Sequence, residues 1–435
     1  MIWLIIFASL GLRLIGINQS MWLDEAISAN VAQMRWGEII SSFSMTDFHP
    51  PAYYLFLNLW VKMFGNGVVI MRLSSVLFSL ITIWLVYRIG ILIKDKKLGL
   101  WAAVLTGFNP LLIYYSQELR MYSLVVMILM IAVYNWIKIV KNEGKKINWI
   151  GFNLATGLAF ITFYGSVFLT GAMILYFLIT KKWRNFLKSF WGIGVAILGI
   201  SPLLLKQMEL SGQMLSQVTN WSLVLGKVNL KNLLLIPLKF SIGRISWLPK
   251  NYYYLASGLW TLIVFGLAIK PLGKNKKMAW LLIMPIVMGI LFSFKSPLMQ
   301  YFRFLYLVPI LMLVLAENKS KVLKIALALG FLGFSCLYLG NAEMYRENWK
   351  EAVGSLGNGS KVYMIGSFGD PIKYYNSTIL VKDIKTAEPE EESIAVIPYG
   401  EEIHGLNIEE SLIGLGYEQI QQKDFRGVVI ENWKK

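Results

Sequence analysis

Apolar runs close to twenty residues long recur along this chain, almost free of charge, and nothing limits its fold more. A helix needs about 20 apolar residues to cross a bilayer. Runs of that order stand at 1–17, 68–93, 98–114, 118–137, 147–163, 165–180, 186–205, 252–269, 278–294, 302–316 and 322–340. They predict a polytopic α-helical membrane protein with about eleven transmembrane helices. Composition agrees. The chain is 56% hydrophobic and only 15% charged, where a soluble chain carries about 25% charged residues. Residues 1–10 are apolar with no basic region ahead of them, so they read as the first span and not as a cleaved leader. A glycine at Tyr164-Gly165-Ser166 suits a tight turn between two spans, because glycine accepts positive φ.

The net charge of +17 admits nucleic-acid binding as one reading. The distribution favours another. Basic clusters lie between spans at 94–97, 138–146, 181–184, 270–277 and 319–324, each short, as retained cytoplasmic loops are. The alternate connections, at 18–67, 115–118, 164–166, 206–251 and 295–301, are poorer in lysine for their length. Alternation then puts the N-terminus inside and the tail from Asn341 outside. The single cysteine, Cys336, says nothing about the redox compartment.

Two domains follow: a membrane domain over 1–340, and a small soluble α/β domain over 341–435 on the extracytoplasmic side. The tail mixes acidic runs with short apolar segments at 362–365, 378–381, 394–397 and 427–430, and with helical patterns near 346–356 and 408–415. The first outer loop, 18–67, has helical spacing in Ala26, Ile27, Val31 and Met34. A second helix is expected from Pro51 through Tyr53, Tyr54, Leu57 and Trp60. Both are expected to lie on the membrane surface.

Charged groups near a membrane are costly and often functional. Asp24-Glu25 opens the first outer helix, where acids also complement the helix dipole. His49 stands before Pro50-Pro51 at a rigid turn. The stretch Gln117-Glu118-Leu119-Arg120-Met121-Tyr122 joins two apolar runs at the same side. Lys295, Tyr301 and Arg303 mark the outer end of a later run, where Arg303 can hold a phosphate or simply reach toward headgroups. The loop 206–251 carries Lys206, Lys227, Lys231, Lys239, Arg244 and Lys250 against Glu209 alone, a charge that attracts an anionic headgroup. No His or Cys spacing supports a zinc site.

Taken in order, Trp22-Leu23-Asp24-Glu25-Ala26, His49-Pro50-Pro51-Ala52-Tyr53-Tyr54, Arg72-Leu73-Ser74-Ser75 and Gln117-Glu118-Leu119-Arg120-Met121-Tyr122 resemble the protein O-mannosyltransferase family (glycosyltransferase family 39 and bacterial relatives). The aminoarabinose transferases acting on lipid A are similar in plan. The likeness is strongest over 1–125 and continues in Tyr301-Phe302-Arg303 with Pro309. It implies the C-type glycosyltransferase fold and transfer of a sugar from a polyprenyl or dolichyl phosphate to an acceptor hydroxyl on a protein, lipid or glycan outside the cell membrane. It also implies a catalytic base at Asp24 with Glu25 beside it. Substrate-binding roles fall to His49, Tyr53, Gln117, Glu118, Arg120, Tyr122, Lys295, Tyr301 and Arg303. The large luminal insertions of the eukaryotic members are missing, so protein mannosylation is not implied.

These residue types suit the chemistry. A hydroxyl loses its proton as it attacks, which an aspartate can accept. A lipid phosphate leaves as an anion, which calls for arginine and not for a general acid. One base with one anion clamp predicts inversion, because a retaining enzyme needs a carboxylate nucleophile. Asp24, Glu25, Glu118 and His49 are also compatible with a divalent cation, Mg or Mn, although hydroxyl activation does not demand one. The alternative from another class is a transporter or flippase for a lipid-linked anion. It should show inverted repeats, and no paired halves are seen in the sequence.

Overall fold

The computed structural model describes all 435 residues. Residues 1–340 form a helical bundle, and residues after 341 fold around a small sheet. The first helices are α1 (Ile2–Leu14), α2 (Leu23–Val31), α3 (Ala52–Phe64), α4 (Val68–Ile93), α5 (Lys96–Phe108), α6 (Pro110–Ser116) and α7 (Tyr122–Val140). Five helices are long and apolar enough to cross a membrane, seven if each of two bent pairs counts once. Three more apolar helices, Ile2–Leu14, Tyr164–Ile179 and Leu307–Ala316, are shorter than 18 residues.

The bends fall where proline dictates. The run at 98–114 divides at Asn109, and α5 meets α6 at 62°. Pro110 cannot donate a backbone hydrogen bond and disfavours helix in the residue before it. Asn109 instead caps the new helix, its side-chain oxygen accepting from the amides of Leu111 and Leu112 at 3.1 Å each. A second pair, Trp183–Gly199 and Ser201–Gln217, bends by 71° ahead of Pro202. The expected loop 206–251 is therefore largely helical, through Ser201–Gln217, Trp221–Leu225 and Leu230–Ile242.

Helix Leu307–Ala316 is apolar on every side and buried along its whole length, at the centre of the bundle. The outside of the bundle exposes large apolar side chains, among them Leu77, Leu154, Leu198, Leu262 and Leu329, as lipid contact requires. Helices meet through glycine. A Cβ on Gly99 of α5 would strike the Tyr87 carbonyl of α4, and one on Gly90 would strike Gly99. At Tyr164–Ser166 the chain makes a 3-10 turn without positive φ at Gly165. Glycine is needed there because the Phe163 ring occupies the space of a Cβ.

The helices of the first outer loop are wedged into the protein more than they lie on it. Seven of the nine residues of α2 are buried, and Tyr53, Tyr54, Leu57 and Asn58 of α3 are buried as well. The tail carries strands β1 (Lys361–Met364), β2 (Leu380–Asp383), β3 (Ser393–Ile397), β4 (Glu418–Asp424) and β5 (Val429–Lys434) in the order β2-β1-β3-β5-β4. β1 pairs in parallel with β2 and β3, while β5 is antiparallel to β3 and β4. The sheet does not stand apart from the helices. Leu23 of α2 joins the apolar cluster of Trp349, Val362 and Phe368. The Asn30 amide donates to the Asp370 carboxylate at 2.7 Å.

Replacing Gly99 by Leu should push α4 and α5 apart and cost about 1–3 kcal/mol. Thermal unfolding of the detergent-solubilised protein should show a lowered midpoint, and an unchanged midpoint would mean that the two helices are not held this closely.

Candidate active site

Three consecutive residues of α2 enter three environments. An α-helix turns by about 100° per residue, so Leu23, Asp24 and Glu25 cannot share a face. Leu23 enters the core beside the sheet. Asp24 keeps its side chain 33% exposed. Glu25 points into the protein and is fully buried.

Glu25 is the anchor of a buried charge network. Arg72 of α4 binds it with both arms, Nε to Oε1 at 2.9 Å and Nη2 to Oε2 at 2.6 Å. The remaining Arg72 donors reach the carbonyls of Ile17, Gln19 and Ser20. The Leu119 amide donates to Oε1 at 2.7 Å. Arg346, just past the last long helix, lies 3.7 Å from Glu25 and donates to Glu118 Oε2 at 3.0 Å. Burial works to raise the Glu25 carboxyl, but Arg72, Arg346 and the Leu119 amide hold it below the ordinary carboxylate value.

Glu25 therefore does not stand beside Asp24 on the exposed face, as the adjacent positions suggested. Glu118 is also buried and faces Arg346. Gln117 is buried and donates to the carbonyls of Arg13 and Ile15, at 3.0 and 2.6 Å, closing the end of α1. Tyr53 is buried, with its hydroxyl unpartnered. These four are sealed inside the protein.

Asp24, His49, Tyr301 and Arg303 are partly exposed, and the buried Arg120 and Tyr122 stand with them. Arg120 Nη2 lies 3.4 Å from Asp24 Oδ2 and 3.2 Å from His49 Nε2. Asp24 Oδ1 has no partner within the protein, so one oxygen of this carboxylate is free. Tyr122 stands among Asp24, Arg120 and Arg303 and stacks edge-on against Phe302 at 5.6 Å. The Arg303 Nη1 donor reaches only the Pro297 carbonyl, at 3.4 Å. Lys295 is exposed and makes no side-chain contact with this group.

Several contributors were hidden in the sequence. Arg244, one of six cations in the 206–251 stretch, is exposed, donates to the Tyr114 hydroxyl at 2.8 Å and lies over the Trp22 ring at 5.9 Å. Arg346 opens the expected helical stretch of the tail, where no local pattern ties it to Glu118. Asp47, two residues before His49, accepts from the Tyr54 hydroxyl at 3.1 Å. Glu347 faces Arg244 and Asp24 from the tail; burial raises its carboxyl, partly offset by donors from Trp349 and Tyr399. No three His, Cys, Asp or Glu side chains converge anywhere. With Glu25 and Glu118 turned onto arginines, the four candidate ligands form no donor set for Mg or Mn, and no chemistry is routed through a metal.

The family model of the dolichyl-phosphate-mannose-protein mannosyltransferases matches residues 48–205. That stretch holds His49, α3, α4 and the Gln117–Tyr122 segment. A search of curated protein sequences gives no match. Among solved structures, ArnT from Cupriavidus metallidurans in the apo state superposes with a TM-score of 0.61 at 12% identity, covering 99% of this chain and 97% of that one. The same protein bound to undecaprenyl phosphate gives 0.61 at 11% identity, with 99% and 97% covered. The Archaeoglobus fulgidus oligosaccharyltransferase in complex with Zn and sulfate gives 0.55 at 9% identity, over 86% of this chain and 62% of its own. Identities this low establish the architecture. The chain is a multi-pass membrane protein with the fold of the C-type membrane glycosyltransferases, and over residues 48–205 it carries the sequence pattern of the dolichyl-phosphate-mannose-protein mannosyltransferases.

Proposed function

We propose that this chain is an inverting glycosyltransferase of the cell membrane. It moves a sugar from a polyprenyl phosphate, undecaprenyl or dolichyl, to an acceptor hydroxyl on the extracytoplasmic face. The apolar helices cross the membrane with the N-terminus inside, and residues 341–435 form an outer domain. The order of basic clusters supports this orientation. The match to a fold whose crystallised member was captured with undecaprenyl phosphate supports the donor class.

One observation carries the assignment of the base. Of Asp24, Glu25 and Glu118, Asp24 alone stays open, at 33% side-chain exposure against 0% and 1%. Asp24 Oδ1 takes the proton of the acceptor hydroxyl. The hydroxyl oxygen bonds to the anomeric carbon as the bond from that carbon to the phosphate oxygen breaks, and the electron pair leaves on the polyprenyl phosphate. Arg303 and Arg244, both reaching the region of Tyr301 and Tyr122, neutralise that anion. Glu25, Glu118 and Gln117 act by holding the structure and do not touch substrate.

Asp24→Asn should lower kcat by about 10²–10⁴-fold and leave the unfolding temperature unchanged. Activity of wild-type size in that variant would remove Asp24 as the base. Glu25→Gln should behave in the opposite sense. It leaves Arg72 buried without its counter-charge, at a cost of about 3–5 kcal/mol, so the thermal midpoint falls before any kinetic constant is read. A Glu25→Gln protein as stable as the parent would contradict the ion network. For the leaving group, loss of one charge-assisted bond of about 1.5–3 kcal/mol should raise the donor KM roughly 10- to 100-fold in Arg303→Ala and in Arg244→Ala. Donor affinity unchanged in both would place the phosphate elsewhere.

A further inference from the structure

A chain of polar contacts runs through the first outer loop and ends on the open carboxylate. The Tyr54 hydroxyl donates to Asp47 Oδ2 at 3.1 Å. Both Asp47 oxygens lie 3.3 Å from His49 Nδ1. His49 Nε2 lies 3.2 Å from Arg120 Nη2, and that nitrogen lies 3.4 Å from Asp24 Oδ2. Arg120 Nη1 also reaches the Asp24 carbonyl, at 3.5 Å. The loop backbone is fixed from outside: Gln207 donates to the carbonyls of Ser44 and His49, at 2.7 and 3.1 Å, and accepts from Tyr164 at 2.6 Å.

The donors and acceptors leave one assignment. A guanidinium only donates, and a carboxylate only accepts. His49 Nε2 must then accept from Arg120, and Nδ1 must carry the proton that Asp47 receives. A doubly protonated ring would set an N–H and a positive charge against the guanidinium. The groups facing the ring are Asp47 and Arg120, with Asp24 and Tyr54 one contact further out.

We propose that Asp47 and His49 are positioning residues: they lock Arg120 in place, and Arg120 holds one oxygen of Asp24 so that the other faces the acceptor. Without the His49 acceptor, Arg120 is free to rotate about its long side chain, and the orientation of Asp24 is lost with it. Holding a reacting group within a fraction of an ångström is worth about 10²-fold in rate. The inference rests on the reading of Asp24 as the base for its kinetic consequence, but not for the hydrogen-bond order itself.

That order can be read without any activity. The chain has two histidines, and His404 lies in the tail beside Lys385. A His404→Gln chain, labelled with ¹⁵N-histidine and held in nanodiscs, reports His49 alone. The expected spectrum at neutral pH shows Nδ1 protonated and Nε2 bare, and Asp47→Asn moves the population toward Nε2–H. A wild-type ring protonated at Nε2 would overturn the proposal. Kinetics with a polyprenyl-phosphate sugar give the second arm. His49→Leu should lower kcat by about 10- to 100-fold with the donor KM and the thermal midpoint unchanged. His49→Gln, whose amide oxygen can still accept from Arg120, should recover most of it. Adding Asp47→Asn to Arg120→Lys should cost nothing more than Arg120→Lys alone. A kcat of wild-type size in His49→Leu, or losses that follow stability, would also overturn it. An Nδ1–H ring in a wild-type chain that transfers no sugar would sink the proposed reaction and leave the relay standing.

Discussion

Two carboxylates and two guanidiniums sealed away from water hold this architecture together at the end of the bundle beside the sheet. Glu25 comes from α2, Arg72 from α4, Glu118 from the segment before α7 and Arg346 from the start of the tail. Each alone would be costly to bury, because desolvating one ion is worth several kcal/mol. Together they are nearly neutral, and the short Arg72–Glu25 pair is bidentate, the strongest geometry available to these groups. The network ties four stretches of chain at one point.

That point also fixes the register of α2. With Glu25 drawn inward and Leu23 packed beside the sheet, Asp24 is left on the partly exposed face. Identical chemistry at neighbouring positions thus acquires opposite duties. One carboxylate is spent on folding, and its neighbour keeps an oxygen free. The tail takes part in this sorting through Arg346, Phe368 and Asp370, so it is more than an appendage to the bundle.

Much of the secondary structure was legible. The apolar runs became helices because a strongly apolar stretch of that length has one way to satisfy its backbone in lipid. Four of the tail's strands overlap its short apolar segments, β2 and β5 by two residues each. The fifth, β4, is exposed along its whole length and polar, so no hydrophobic signal marked it. It exists because β5 offers it a partner edge. The bends at Asn109 and ahead of Pro202 were readable from proline chemistry but were hidden inside continuous apolar runs.

The sequence by itself determined that this chain enters a membrane, which ends of its helices are polar, and that Asp24, His49, Glu118 and Arg120 belong to one side. Periodicity and charge are local properties, and they survive in a single line of letters. Only the tertiary structure decided which of those polar groups stay partly exposed and which face each other. A side chain's direction depends on the turn of its helix and on partners more than 300 positions away, as Arg346 is from Glu25. No spacing rule reaches that far, because the two residues meet through packing and not through the period of any helix or strand.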